Sequence, residues 1–208
     1  MKKFLKFTSY SVITVIVLCF VNSIILYLYP NFHTVLSNKI YRSGQLNTAQ
    51  FEHYIDKYHI KSILNLRGKR STRSWYQAEM RVIAATHIQH YDAALPAKGL
   101  VSAEKMQILT KIIANAPKPL LIHCWRGADR AGLGSAVALI LFTKQPLTKI
   151  KRQVSWKYGA IAFSSVGKVE LSYYQHWLQQ RDLTSSAENF SRWLQQIQAG
   201  KTTDIKST

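Results

Sequence analysis

Pro119-Leu120-Leu121-Ile122-His123-Cys124-Trp125-Arg126-Gly127-Ala128-Asp129-Arg130-Ala131-Gly132 decides how this chain is read. An apolar run over residues 119–123 predicts a buried strand, and the small, apolar residues from about Arg130 to Phe142 predict a helix packed on all sides. Residues 124–130 are then a strand-to-helix turn. Such a turn gathers backbone N–H groups at a helix N-terminus, where an anion is favoured.

A cysteine serves as a nucleophile at neutral pH when its thiolate is stabilised, and Cys124 stands where loop amides and the helix terminus supply that. The same amides can hold the oxygens of a phosphate. Arg130, in the first helical turn, carries the planar fork that binds two of those oxygens side by side, which a lysine would not. Trp125, Arg126, Gly127, Ala128 and Asp129 form the remainder of the cradle. Gly127 supplies conformational freedom and Gly132 close approach of the helix. Arg126 either meets a second phosphate or is a solvated arginine, and His123 either bonds the loop backbone or packs.

Outward from this turn the chain alternates strand and helix. Residues 40–43 read as a strand, 47–58 as a helix capped at Asn47, 61–67 as a strand, 74–86 as a helix and 87–91 as a strand. A helix opens at Ser102 and runs toward Pro117. Beyond Pro146, residues 147–158, 169–180 and 188–198 read as helical, and Trp156, Tyr173, Tyr174, Trp177 and Trp193 as core or interface aromatics. The alternation predicts an α/β architecture with a central, mostly parallel sheet flanked by helices.

The segment His123 to Gly132 resembles the signature of the Cys-x5-Arg protein tyrosine and dual-specificity phosphatase superfamily at every fixed position except one. Tyr41-Arg42-Ser43-Gly44-Gln45 and Ile63-Leu64-Asn65-Leu66-Arg67 look like the corresponding segments of a bacterial and fungal dual-specificity-like subfamily, so the likeness covers roughly residues 40–142. It implies that fold and a metal-independent, cofactor-free, two-step hydrolysis through a phosphocysteine, with a separate aspartate protonating the leaving oxygen. Asp92 is the expected acid, and Asp129 within the loop is the alternative. The departure is Ala131, where the family carries Ser or Thr to help the thiolate leave; its absence predicts slow breakdown of the intermediate.

Lys and Arg number 28 against 10 Asp and Glu, a formal net charge of +18. The surface therefore attracts anions, and phosphorylated substrates, acidic lipid and nucleic acid are all admissible. Lys69, Arg70 and Arg73 cluster with Trp75 and Tyr76, and Arg67 can approach the pocket from the end of its strand. Two cysteines in unlike settings exclude a disulfide scaffold, and scattered histidines offer no metal motif.

Three lysines precede an uncharged run over 7–29, read here as an uncleaved transmembrane signal anchor, with a cleaved signal peptide as its rival. The organisation expected is an anchor over 1–30, a phosphatase domain over 31–198 and a mostly polar, disordered tail over 199–208. The lysines put the domain across the membrane, periplasmic or extracytoplasmic. The expected partners are a membrane, through that helix, and a phosphotyrosine, an inositol phosphate or an anionic lipid phosphate. A catalytically weak phosphate-binding module is the alternative, and a tethered nucleic-acid binder a weaker one.

Overall fold

The computed structural model describes residues 30–198 and, before them, 13, 14, 16–18, 20 and 21. The chain divides into two units, residues 1–30 and 31–208, each considered by itself.

In the second unit five strands form one sheet in the order β1-β2-β5-β3-β4: β1 His33–Leu36, β2 Ile40–Ser43, β3 Ser62–Asn65, β4 Gln89–Asp92 and β5 Leu120–His123. The β2, β5, β3 and β4 pairings are parallel, and β1 pairs antiparallel with β2. The mostly parallel sheet expected from the alternation is present. Strand β1, which the sequence reading did not include, turns back at its edge.

The helices are α1 Thr48–Tyr58, α2 Ser74–Thr86, α3 Ala103–Asn115, α4 Asp129–Phe142, α5 Leu147–Ile150, α6 Val166–Gln179 and α7 Ala187–Gln198. Helix α1 starts at a capping box in which Asn47 and Gln50 satisfy each other's backbone amides. Alternate residues of each central strand serve opposite faces. Ile40, Leu64, Leu120 and Ile122 pack with α3, α4, α6 and α7, while Tyr41, Ile63 and Leu121 pack with Phe51 of α1 and Val82 of α2. Helix α4 is buried along its length from Ala131 to Ile140, which accounts for its lack of a polar face.

Three expectations are corrected here. Residues 147–158 are not one helix but the short α5 followed by two 3-10 turns, Lys151–Val154 and Trp156–Tyr158. Arg42 takes the carbonyl and side-chain oxygens of Gln153, and the chain leaves the second turn through Gly159 at φ 80°. Trp156, expected as a core or interface aromatic, is 83% exposed and so lies outside the core, whereas Tyr174, Trp177 and Trp193 are buried.

The third concerns the membrane. Among the described residues no helix is long and apolar enough to cross one. The helical positions described before residue 30 fall within 13–21, about 13 Å of helix against a hydrocarbon core of ~30 Å. The transmembrane helix, and the single-pass placement built on it, are therefore withdrawn. Most of the run 7–29, and the tail over 199–208, lie outside the described residues.

Candidate active site

Strand β5 ends at His123, and Cys124 follows at the C-terminal edge of the sheet with 3% of its surface exposed. The loop then crosses to α4, whose first residue is Asp129. Its shape is set by neighbours on both sides. Cys124 N–H donates to Ser43 O at 3.4 Å, and Trp125 O accepts from Gln45 N–H at 2.9 Å. Asn31 Nδ2 bridges the carbonyls of Arg126 and Tyr158. Gly127 adopts φ 68°, and a Cβ there would stand 2.6 Å from Gly44 N and 2.7 Å from Ser43 C.

The backbone N–H groups of Trp125 to Arg130 have no acceptor among the described residues. Amides left in this state at a helix N-terminus form a binding site for an anion. Arg130, half-buried, donates from Nη1 to Leu66 O at 3.4 Å. No carboxylate neutralises it: among the described residues the only Arg–carboxylate ion pair is Arg192 with Glu188.

Arg42 underpins the loop. It is fully buried, and its Nη2 donates to Gly127 O at 2.6 Å and Ala128 O at 3.1 Å, while Nη1 holds Gln153. Its guanidinium lies 4.2 Å from the Tyr158 ring centroid. Burial draws its pKa down to about 10, partly offset by Tyr158, Cys124 and Asp129, so it remains a cation at neutral pH. The loop carbonyls thus turn toward Arg42 and its amides away from them. Sequence reading gave Arg42 no role, although an arginine within a short apolar strand is itself a signal of a paired interior charge.

Arg67 sits 3.4 Å from the Trp75 ring centroid and donates from Nη1 to Gln45 Oε1 at 2.7 Å. Burial lowers its pKa, and Arg130 and Arg70 lower it further against the pull of Cys124 and Glu79. Arg130 reaches the carbonyl of the neighbouring Leu66, so the two arginines are near one another, and neither is ion-paired among the described residues. Trp125 is 65% exposed at the mouth.

His123 does not bond the loop backbone. Its Nε2 lies 2.9 Å from Oε1 of Glu79, a residue that sequence reading passed over, and Nδ1 has no partner. Glu79 is buried on α2 and also meets His90 Nε2 at 2.9 Å and Gln45 Nε2 at 3.0 Å. Burial opposes its charge, but His123, with the hydrogen bonds from both histidines and Gln45, outweighs that and holds the carboxyl well below the usual range.

The two candidate acids differ in setting. Asp92 ends β4 and is in register with Asn65, which is in register with His123, so it stands two strands, roughly 10 Å, from the end of β5. Its Oδ1 accepts from Asn65 Nδ2 at 2.8 Å and Oδ2 from Tyr76 OH at 2.5 Å. Asp129 opens α4 directly after the loop, and its carboxyl has no hydrogen bond or ion pair among the described residues. Ala131 is fully buried and brings no hydroxyl to the site. A Cβ on Gly132 would meet Gln153 O at 2.7 Å, the close approach expected of that glycine. Among the described residues no group of three or more His, Cys, Asp or Glu is arranged to hold a metal ion.

A five-stranded, mostly parallel sheet presenting a cysteine, a ring of free amides and an arginine at a strand-to-helix turn defines the cysteine-dependent phosphatase class. A sequence profile of the tyrosine phosphatase family matches residues 27–150, and the chain belongs to that family; it is a phosphatase of the Cys-x5-Arg type. No curated protein matches the sequence.

The fold is shared with solved structures of low identity. The catalytic core of the PP-IP phosphatase Siw14 from S. cerevisiae, in complex with citrate, is 21% identical over 74% of this chain and 94% of that one, with a TM-score of 0.56. TpbA from P. aeruginosa, in complex with pTyr, is 16% identical over 68% and 81%, with a TM-score of 0.50. Tk-PTP in its active form is 14% identical over 74% and 99%, with a TM-score of 0.52.

Proposed function

We propose that this chain hydrolyses phosphate monoesters through a phosphocysteine on Cys124, with no step that requires a metal ion. The thiolate of Cys124 attacks phosphorus, the bond to the leaving oxygen breaks, and the equatorial oxygens are held by the amides of residues 125–130 and the fork of Arg130. Water then attacks phosphorus, and the thiolate leaves. What carries this reading is the run of unpaired amides that follows Cys124, closed by an arginine in the first turn of α4 that has no carboxylate partner.

For the proton on the leaving oxygen we favour Asp129 over Asp92. A general acid must have a carboxyl free to reach the substrate. Asp129 is unpaired at the start of α4, directly after the loop, whereas both oxygens of Asp92 already accept hydrogen bonds some distance across the sheet. Asp129 would donate a proton to the leaving group and then take one from the attacking water.

The rim favours a substrate carrying more than one anionic group, since Arg130 reaches the carbonyl of Leu66, next to Arg67, and neither arginine is ion-paired among the described residues. Inositol phosphates and phosphoinositide headgroups meet that description better than an isolated phosphotyrosine. Ala131 is expected to slow the second step, because no hydroxyl at that position assists the departing thiolate.

The test is hydrolysis of an aryl phosphate in excess chelator by the wild type and by Cys124→Ser. Turnover confined to the wild type is expected; equal turnover in both would remove Cys124 from the reaction. Retained inorganic-phosphate binding in the Cys124→Ser chain would show that the cradle outlasts its nucleophile.

A further inference from the structure

Glu79 occupies a place where a carboxylate is not wanted for packing. It shares the buried face of α2 with Tyr76 and Val82 at three-residue spacing, and its side chain has no exposed surface. Among the described residues it pairs with no lysine or arginine. A buried charge serving packing alone could be replaced by an apolar residue of similar volume at little cost, so its partners hold the explanation.

Those partners converge on the phosphate loop. Oε1 faces Nε2 of His123, the residue preceding Cys124, and Nε2 of His90 at the end of the sheet, each at 2.9 Å. Oε2 accepts from Gln45 Nε2 at 3.0 Å. Gln45 in turn gives its backbone N–H to Trp125 O and takes Arg67 Nη1 on its Oε1 at 2.7 Å. The two anchors that precede the cradle, His123 from below and Gln45 from the side, thus end on one carboxylate, and so does the hold on Arg67.

We infer that Glu79 is a positioning residue for this reaction: from a helix remote from the substrate it locks the ring of His123 and the amide of Gln45, and through them fixes the Cys124 loop and the direction of Arg67. Both imidazoles must present an Nε2–H to a carboxylate acceptor, so Glu79 fixes a proton on Nε2 of His123 and with it the orientation of the ring. It also sets the amide orientation of Gln45, whose NH2 faces Glu79 and whose carbonyl is thereby left for Arg67. This role rests on the phosphatase reading above.

The test uses the full chain with Glu79→Met, Glu79→Gln and the pair Glu79→Gln/Gln45→Glu. Methionine keeps the volume and removes every acceptor, and is expected to lower kcat/KM about a hundredfold at temperatures where the variant remains folded. Glutamine keeps an acceptor for the histidines but sets its NH2 against that of Gln45, and is expected to lose about tenfold. The double variant passes the carboxylate to position 45, where it accepts from the amide introduced at position 79 and from Arg67, and is expected to recover most of that loss.

A purely structural Glu79 would lower Tm in the Met variant with kcat/KM within about threefold of wild type, and that outcome overturns the inference. So does a double variant no better than Glu79→Gln, which decides the matter even where Glu79→Met fails to fold. Long-range proton–nitrogen NMR spectra of the His123 ring supply an independent readout: a protonated Nε2 in the wild type and a mixture of tautomers in Glu79→Met, which offers no acceptor. This signature does not depend on turnover, so a wild type inactive toward phosphate esters would refute the proposed activity while leaving the hold of Glu79 on His123 measurable.

Discussion

Arg42 Nη2 donates to the carbonyl oxygen of Gly127 at 2.6 Å, joining residues 85 positions apart in the chain. This buried cation occupies loop carbonyls while the amides of residues 125–130 are left without acceptors among the described residues. Arg42→Met fills similar space but leaves the carbonyls of Gly127, Ala128 and Gln153 without their donor. Each buried acceptor left alone costs roughly 1–3 kcal/mol, so a loss of about 3 kcal/mol or more in urea unfolding is expected. Phosphate affinity should fall with it, by at least about tenfold, as read from competitive inhibition.

The assignment of the acid predicts a contrast between two conservative variants. Asp129→Asn should lower kcat/KM by about 100-fold for alkyl phosphates and much less for aryl phosphates with acidic leaving groups. Asp92→Asn should show no such dependence on the leaving group, with its effect confined to stability through Asn65 and Tyr76. A leaving-group series measured on both variants decides between them, and the reverse pattern would return the role to Asp92.

Arg67 should mark substrate choice. Its guanidinium is oriented by the Trp75 ring and by Gln45 rather than by an acid. Arg67→Ala is expected to raise KM about tenfold for an inositol polyphosphate, with a smaller change for an aryl monophosphate. Equal losses on both would indicate that only the primary phosphate is sensed at the rim.

Stability should fall as pH rises through the region set by Glu170. Burial on α6 lifts its carboxyl from an ordinary 4.5 to about 7, against the lowering effect of the Val101 N–H it accepts. Between those values the folded chain holds a proton that the unfolded chain has released, so its stability declines with pH there and the loss is complete above 7. Glu170→Gln keeps an oxygen for Val101 and removes the titration. It should be more stable than wild type by about 2–3 kcal/mol at pH 8 and nearly equal at pH 4 in urea unfolding.

The sheet, its helices and the position of Cys124 were legible because apolar period and turn chemistry are local signals. His123 to Gly132 could be read as strand, loop and helix without any knowledge of what lies beside them. Arg42, Gln45 and Glu79 could not, since their meaning depends on pairings across the fold: a buried arginine on β2 against loop carbonyls, and a glutamate on α2 against histidines on β4 and β5. The 3-10 turns over 151–158 were missed for the same reason, as Gln153 is claimed by Arg42. Asp92 is expected as the acid from the family resemblance, and the sequence carries no record of the donors it meets from Asn65 and Tyr76. The uncharged character of 7–29 led to a membrane span that the described helices do not support.

Gly127 limits how such an enzyme can diversify. A methyl group there would press on the main chain of Ser43 and Gly44, which no rotamer change can relieve. Change within this loop is thereby channelled to Trp125 and Arg126, which are exposed. Relatives that differ in specificity should accordingly vary at those two places and at the rim, while the turn between them stays invariant.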